Sequence, residues 1–377
     1  IMISYLTRVH FDENILEKSL CEELILAEKT RPLIITDKGV TNAGLVDRVY
    51  NALPKDCSFI TFDETPANPT EASARTAAQL YTNENCDCLI ALGGGSPIDL
   101  AKAVALTVTH RGKLVDYAAI YGGVAKIVNC LPPLFAIPTT AGTGSEVGRG
   151  ALIIVNDGRK LGFLSPYFVP TAAICDPTLT YDLPPSITAA TGMDAITHCI
   201  ETFLAPAYNP PADGIAIEGL RLSWPSIEDA TYKSSTQSRR NMMAAAMMGA
   251  MAFQKGLGAV HAISHALGGL RGKSLHHGTL NAVLLPHVIR FNAPACENRY
   301  PRLLEAMGYD YNGVEDFVSR IIERTSGLGL PSSLSEMGVM LNDVDTSAMN
   351  AEKDHTNATN PRLVTASDYI KLIRNAL

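Results

Sequence analysis

The pattern of apolar residues changes once along this chain of 377 residues, near positions 182–185. Before this point, short runs rich in Ile, Val and Leu alternate with amphipathic helical patterns. After it, runs typical of strands become rare and helical patterns dominate. Alternating strands and helices predict a parallel sheet with helices on both faces. We therefore expect two domains: an α/β domain over residues 1–182 and an all-helical domain over residues 183–377.

The individual elements follow from the same pattern. In the first half, strands are predicted at residues 32–36, 58–62, 88–94 and 133–140, with shorter β-like pieces at 151–155 and 172–176, and helices at 71–81 and 97–108. In the second half, helices are predicted at residues 186–203, 211–222, 239–253, 259–267, 281–292 and 314–325.

Composition excludes several classes of function. Apolar residues make up 46% and charged residues 18% of the chain, which is typical of a folded domain rather than a disordered one. A net charge of −7 argues against nucleic acid as a partner. No apolar run approaches the roughly 20 residues that cross a bilayer, and the first residues lack the pattern of a signal peptide. Eight cysteines without a C-x-x-C pair favour reduced thiols. We expect a cytoplasmic homodimer or larger homo-oligomer that acts on a small molecule, with no membrane partner.

A glycine-rich loop follows the predicted strand 88–94. Gly93, Gly94 and Gly95 allow a ligand to approach the backbone closely. Ser96 is a good N-cap, and Pro97 suits the first position of the helix that follows. The free N–H groups at such a helix start attract a pyrophosphate. Alternatively, the glycines form a tight turn that binds nothing.

Two further loops carry polar groups directly after predicted strands. One contains Thr139, Thr140 and Thr143, whose hydroxyl groups suit phosphate and ribose contacts. The other begins with Asp37, whose carboxylate can accept a hydrogen bond from a ribose 2′-hydroxyl and disfavours a 2′-phosphate. Asp37 can equally cap the next helix. The three loops together predict a nucleotide site, and Asp37 favours NAD over NADP.

Carboxylate and histidine residues recur at helical spacing in the second half. Asp194 and His198 lie four residues apart, as do His261 and His265, so each pair shares one helical face. His276, His277 and His287 follow. A single histidine of this kind is commonly a core residue or part of a surface pair. The cluster indicates a site for Zn²⁺, Fe²⁺ or another divalent ion, although spacing leaves open whether His265 or His276 is a ligand.

Several motifs, taken in order, are specific enough to indicate a family. They are GGGSPIDLAKA, IPTTAGTGSEV, DPTLT, TAATGMDAITHCIE, GLGAVHAISHALGG, HHGTLNAVLLPHVIRFN and TNPR, spread from about Asp37 to Arg362. With these motifs the chain resembles the iron-containing, or group III, alcohol dehydrogenases. The resemblance implies a metal-dependent, NAD(P)-linked alcohol dehydrogenase or aldehyde reductase. It also implies a Rossmann-like α/β domain and an all-α domain in the dehydroquinate synthase-like architecture.

The resemblance also implies roles for individual residues. Asp194, His198, His261 and His277 match the ligands of one divalent ion, Fe²⁺ or Zn²⁺. His265 matches a histidine near the nicotinamide and is expected to relay the hydroxyl proton. The positions that match cofactor contacts are Asp37, Asn68, Gly94, Gly95, Ser96, Asp99, Thr139, Thr140, Thr143 and Lys160.

Two cations depart from the family pattern near the expected substrate pocket. Arg149 and Lys255 stand where many relatives are uncharged. Each is either a solvated surface group or a ligand for a substrate carboxylate. The second interpretation predicts a short ω-hydroxy acid or its semialdehyde, such as 4-hydroxybutyrate and succinic semialdehyde. The alternatives are a metal-independent reductase of the same fold, similar to maleylacetate reductase, and a nucleotide-binding protein without turnover.

Overall fold

The computed structural model describes residues 7–270 and 272–377, and the chain divides into two compact units. The first unit comprises Ile1–Thr140 and Gly144–Asp182, and the second comprises Ala141–Thr143 and Leu183–Leu377. The segment Ala141–Thr143 therefore groups with the second unit, although the predicted boundary assigned it to the first. The division into a nucleotide-binding and a metal-binding domain stays a prediction.

The first unit alternates strands and helices. Its strands are β1 (Arg8–Phe11), β2 (Pro32–Ile35), β3 (Ile60–Phe62), β4 (Cys88–Gly93), β5 (Leu134–Pro138), β6 (Gly150–Ile154), β7 (Lys160–Leu164) and β8 (Ala172–Cys175). Its helices are α1 (Leu16–Leu26), α2 (Lys38–Asn42), α3 (Leu45–Ala52), α4 (Glu71–Asn83) and α5 (Gly95–Thr109).

Six of these strands form one parallel sheet in the order β1-β8-β5-β4-β2-β3, while β6 and β7 form an antiparallel hairpin. The strands β2, β4, β5 and β8 are buried along their whole length, as expected for a sheet covered on both faces. One face packs against α4 and α5, and the other packs against α1 and α3. Because β5, β4 and β2 are neighbours, the loops that follow them meet at one edge of the sheet.

The described residues of the second unit form helices and loops and contain no strand. Its helices are α6 (Pro185–Leu204), α7 (Pro210–Tyr232), α8 (Thr236–Ala252), α9 (Ala259–Gly268), α10 (His277–Cys296), α11 (Tyr300–Ala306), α12 (Val314–Gly327), α13 (Leu341–Glu352) and α14 (Ala366–Ala376). The predicted helix 211–222 continues for ten further residues through Pro225, because Ile227 and Ala230 extend its buried face. None of the described helices is long and apolar enough to cross a membrane.

Candidate metal centre and nucleotide-binding loops

Three helices of the second unit position the predicted metal-binding residues. Asp194 and His198 lie on the buried helix α6, and their spacing of four residues places both side chains on one face. The histidines His261 and His265 occupy the same positions relative to each other on α9. His277 is the first residue of α10. The sequence spacing is thus realised on three packed helices.

Three of the predicted ligands, all histidines, surround one carboxylate oxygen of the fourth. Asp194 Oδ1 lies 3.8 Å from His198 Nε2, 3.6 Å from His261 Nε2 and 3.7 Å from His277 Nε2. Ligands bound about 2.1 Å from a tetrahedral ion lie about 3.4 Å apart, so this arrangement has nearly the required size. Potential ligand atoms of Asp194, His198 and His261 also lie within 4.8 Å of one another. One carboxylate and three imidazoles of this geometry fit a divalent cation.

Burial and neighbouring charges shift the pKa values of these side chains in opposite directions. Burial raises the pKa of Asp194, but the neighbouring His198 and His277 outweigh it and hold that pKa below its usual range. Burial lowers the pKa of His198 to about 4, against the attraction of Asp194. Burial also lowers the pKa of His261, but the neighbouring carboxylates of Asp194 and Glu201 outweigh it and raise that pKa to about 9. A buried acid beside buried imidazoles creates a strongly polar point inside an apolar bundle.

Two residues that the sequence interpretation passed over touch this cluster. Glu201 lies one turn after His198 on α6 and accepts a hydrogen bond from His261 Nδ1 at 2.7 Å. Asn281 lies one turn after His277 on α10, and its side-chain nitrogen is 2.7 Å from Asp194 Oδ1. The signal that locates them is helical spacing from the ligands, which places each on the same face.

His265 lies beside the cluster and has its own carboxylate partner. Its Nδ1 is 3.0 Å from Asp354 Oδ2, and its ring stacks on His277 at 5.4 Å between centroids. His355 also stacks on the His265 ring, with 5.8 Å between centroids. With Nδ1 held by Asp354, the second ring nitrogen of His265 is the one available for other contacts. His276 is exposed and stands before α10 as its N-cap residue.

The glycine-rich loop starts its helix earlier than predicted. Gly94 is the N-cap of α5, which begins at Gly95, so the prediction of Ser96 as N-cap is wrong by two residues. Gly93 has a φ of +149°, and a Cβ there would lie 2.5 Å from Pro97. The chain therefore passes from β4 to α5 through a tight turn, without a serine cap. Ser96 Oγ instead donates a hydrogen bond to the Ala67 carbonyl at 2.5 Å.

Several predicted cofactor contacts of the first unit lie together. A Cβ on Gly94 would be 3.1 Å from the Thr140 hydroxyl oxygen, so the glycine and threonine loops touch. The Thr139 amide donates to the Gly93 carbonyl at 3.0 Å. Lys160 Nζ donates to Asn68 Oδ1 at 2.9 Å. Ser96 contacts the same loop as Lys160, because its hydrogen-bond partner Ala67 directly precedes Asn68. Thr143 lies in the segment that groups with the second unit.

Asp37 and Asp99 are the two carboxylates predicted to contact the cofactor, and each already accepts hydrogen bonds from the protein. Asp37 Oδ1 accepts a hydrogen bond from the Val40 amide at 3.0 Å, so Asp37 caps α2 while its side chain remains half-buried. Asp99 is only 7% exposed, and its oxygens accept hydrogen bonds from Ser145 Oγ at 2.6 Å and the Leu152 amide at 2.9 Å. Burial and these two partners give Asp99 a structural role between α5 and the segment 145–152, and its contact with the cofactor stays a prediction.

Lys255 and Arg149, the two basic residues predicted to bind the substrate, differ in exposure: Lys255 is buried and Arg149 is exposed. Lys255 is 4% exposed, and its ammonium donates to the Phe203 carbonyl at 2.8 Å and pairs with Asp213. Its charge is neutralised inside the helical bundle, so we do not assign it to a substrate. Arg149 is exposed in the loop before β6.

Comparisons with known proteins place this geometry in context. The family model described as iron-containing alcohol dehydrogenase matches residues 7–177, and the model for the C-terminal part of the Fe-containing alcohol dehydrogenase family matches residues 188–377. A 4-hydroxybutyrate dehydrogenase from Cupriavidus necator is 51% identical, covering 100% of this chain and 99% of the relative. An NAD-dependent methanol dehydrogenase from Bacillus methanolicus is 34% identical, covering 92% of each protein.

The fold is confirmed by a solved structure that matches this chain over its full length. A 1,3-propanediol oxidoreductase superimposes with a TM-score of 0.93 at 33% identity, and 100% of both chains is covered. Two family models together match almost the whole chain, and the relatives above exceed 30% identity over nearly their full length. The chain belongs to the iron-containing alcohol dehydrogenase family, and it is an oxidoreductase that acts on alcohols.

Proposed function

We propose that this chain interconverts 4-hydroxybutyrate and succinic semialdehyde, with NAD(H) as the hydride carrier and one divalent ion. The observation that carries the proposal is 51% identity, over the whole chain, to a protein named 4-hydroxybutyrate dehydrogenase. The non-catalytic alternative is set aside, because the chain belongs to a family of dehydrogenases.

Asp194, His198, His261 and His277 are the proposed ligands, and Fe²⁺ or Zn²⁺ is the proposed ion. When bound, such an ion supplies a Lewis acid that stabilises negative charge on the substrate oxygen. Asp194 contributes the single carboxylate, and the three imidazoles contribute neutral donors. His265, whose Nδ1 faces Asp354, is proposed to pass the hydroxyl proton through its other ring nitrogen. The surrounding helices exclude water, since all these histidines except His277 are buried.

The proposed cofactor is NAD rather than NADP. Gly94, Gly95 and the amides that begin α5 are proposed to face the pyrophosphate, because helix starts favour anions. Asn68, Ser96, Thr139, Thr140, Thr143 and Lys160 are the further proposed contacts. Asp37 is proposed to accept from the ribose hydroxyl while it continues to cap α2 through Oδ1. A 2′-phosphate at this position meets a negative charge, which disfavours NADP.

Arg149 is the proposed ligand for the substrate carboxylate, because its guanidinium offers two parallel donors and its side chain is exposed. A charge-assisted contact of this kind contributes about 1.5–3 kcal/mol, or roughly ten- to a hundredfold in kcat/KM. The test compares succinic semialdehyde with butyraldehyde in the wild type, in Arg149→Ala and in Arg221→Ala. Arg221 is an exposed arginine paired with Glu218, and it serves as the matched control.

The expected result is a strong preference for succinic semialdehyde that Arg149→Ala reduces by ten- to a hundredfold and Arg221→Ala leaves unchanged. Equal efficiency on the two aldehydes in the wild type would contradict the acid substrate and leave a general short-chain alcohol dehydrogenase. A preference that survives Arg149→Ala would retain the substrate and reject Arg149 as its ligand.

We further propose a cytoplasmic location and a homodimer or larger assembly. All eight cysteines are free thiols, which supports a reducing compartment. Analytical ultracentrifugation of the purified protein measures the assembly directly, and a single monomeric species would contradict the second part of this proposal.

A further inference from the structure

A buried carboxylate faces the start of α9 from the neighbouring helix α6. Glu201 is 5% exposed, and its two oxygens lie against four N–H groups of one short segment. Oε1 accepts from the Val260 amide at 2.7 Å. Oε2 accepts from the Gly258 amide at 3.0 Å, and it also lies 3.4 Å from the His261 amide and 2.7 Å from His261 Nδ1. One carboxylate therefore holds both the backbone and the ring of His261.

The start of α9 requires acceptors from outside the helix. Its N-cap is Gly258, which has no side chain to accept from the first free amides. Glu201 provides acceptors for Gly258 and Val260, and Asn360 Oδ1 accepts from the Ala259 amide at 3.0 Å. A Cβ on Gly258 would lie 2.9 Å from Glu201 Oε1 and 2.7 Å from Asn360 Oδ1. Glycine is thus the residue that lets both acceptors approach.

The contact with the ring has a separate consequence. Because Glu201 accepts at Nδ1, the proton of the His261 ring is held on that nitrogen. Nε2 is then the ring nitrogen left to bind a metal, and Asp194 Oδ1 lies 3.6 Å from it. A histidine held in this way is oriented for a metal and is made a stronger donor.

We propose that Glu201 is a positioning residue that fixes the tautomer and orientation of His261 for the divalent ion. The proposal rests on the metal site described under the proposed function. A purely structural role, in which Glu201 only caps α9, is the competing explanation. Asn360 distinguishes the two explanations, because it also caps α9 and, among the described residues, no hydrogen bond joins it to His261.

The experiment uses Glu201→Gln, with Asn360→Ala as the matched control and Co²⁺ as the probe. Glutamine has nearly the size of glutamate, but its amide nitrogen must face one set of N–H donors and its oxygen carries no full charge. Metal-stripped proteins are titrated with Co²⁺ against a competing chelator, and the visible absorption of the bound ion reports its ligand geometry. Thermal melting of the metal-free proteins measures the capping role independently.

The expected result is a Co²⁺ dissociation constant roughly 10- to 100-fold weaker in Glu201→Gln, with an altered absorption band. Asn360→Ala should remain within about threefold of wild type, although both variants melt earlier without metal. In a His261→Ala background, Glu201→Gln should change the dissociation constant no further, because it acts through that ring. This double variant keeps the test valid if the single substitution alters folding.

Two results would overturn the inference while leaving the metal site intact. One is wild-type affinity in Glu201→Gln, and the other is an equal loss of affinity in Asn360→Ala, which would reduce Glu201 to a helix cap. A wild-type protein that binds no Co²⁺ would instead reject the proposed metal site and this inference together.

Discussion

Replacement of Lys102 by methionine should destabilise the first unit strongly. Lys102 lies on α5 and has no exposed surface. Its ammonium donates to the Ser145 carbonyl at 2.7 Å, the Ser145 hydroxyl at 2.8 Å, and the Gly148 and Gly150 carbonyls at 2.9 Å each. It therefore ties the segment 145–150, which follows the threonine loop and contains Arg149, to the helix that begins at the glycine loop.

The expected magnitude follows from these contacts. Methionine fills similar space but removes the ammonium donor from four oxygen atoms, and it removes a cation that attracts the buried carboxylates Asp99 and Glu146. Removing one partner from a buried charged cluster costs about 3–5 kcal/mol. For a unit of this size, that corresponds to a thermal midpoint lower by roughly 6–20 °C.

Thermal and urea unfolding, monitored by circular dichroism, measure this loss of stability. The KM for NAD⁺ measures whether the change in segment 145–150 weakens cofactor binding. The control is Lys18→Met, because Lys18 has a side chain that is 73% exposed and should change stability by less than about 0.5 kcal/mol. We also expect a higher KM for NAD⁺ in Lys102→Met, since the segment it holds adjoins the proposed cofactor loops. If Lys102→Met lowers the free energy of unfolding by less than about 1 kcal/mol, the conclusion that Lys102 holds segment 145–150 against α5 is wrong.

Three further predictions follow from other residues. Asp37→Gly should reduce the preference for NADH over NADPH by about tenfold or more, measured as a ratio of kcat/KM values; a wild type that prefers NADPH would contradict it. His277→Ala should lose metal and activity together, whereas His265→Ala should keep its metal and lose rate, as measured by elemental analysis and steady-state kinetics; an empty site in His265→Ala would overturn this assignment. Burial raises the pKa of Glu146 from 4.5 to about 7, so its contribution to stability is present below pH 4.5 and is lost as pH rises through 7. Glu146→Gln should therefore gain up to about 3 kcal/mol relative to wild type between pH 5 and pH 8, and a difference independent of pH would refute it.

Most of the elements that the sequence predicted have long, clearly patterned apolar segments. The strands β2, β4 and β5 are continuous buried runs, and α6 and α9 are apolar on most of their surface. Edge strand β1 escaped prediction because it is short and polar, with Arg8 and His10 both bonded to Glu23. Helix α13 was also missed, because its buried face consists mainly of small residues.

Predictions for single side chains depended on whether their partners lie nearby in sequence. The cluster of Asp194 and the histidines was recognisable because helical spacing and the family resemblance indicate the same residues. Asp99 rested on the family resemblance alone, and Lys255 rested on a departure from the family pattern. Their partners lie far along the chain, with Ser145 46 residues from Asp99 and Asp213 42 residues from Lys255. Only the folded structure reveals that these charges are already neutralised or bonded.

Asp37 illustrates a third case, in which one side chain fits two roles. Sequence reasoning left open a helix cap or a ribose contact, and the structure shows the cap through one carboxylate oxygen. Since the side chain is only half-buried and the cap uses Oδ1, the two roles remain compatible.

The central claim is that this chain oxidises an ω-hydroxy acid with NAD⁺ through a divalent ion held by Asp194 and three histidines. The most direct test measures NADH formation from 4-hydroxybutyrate by metal-stripped enzyme, before and after reloading with Fe²⁺ or Zn²⁺. We predict no activity in the stripped enzyme and its return with about one bound ion per chain, with 4-hydroxybutyrate oxidised at least tenfold more efficiently than 1-butanol. Full activity in the stripped enzyme would contradict the account and favour a metal-independent reductase of the same fold.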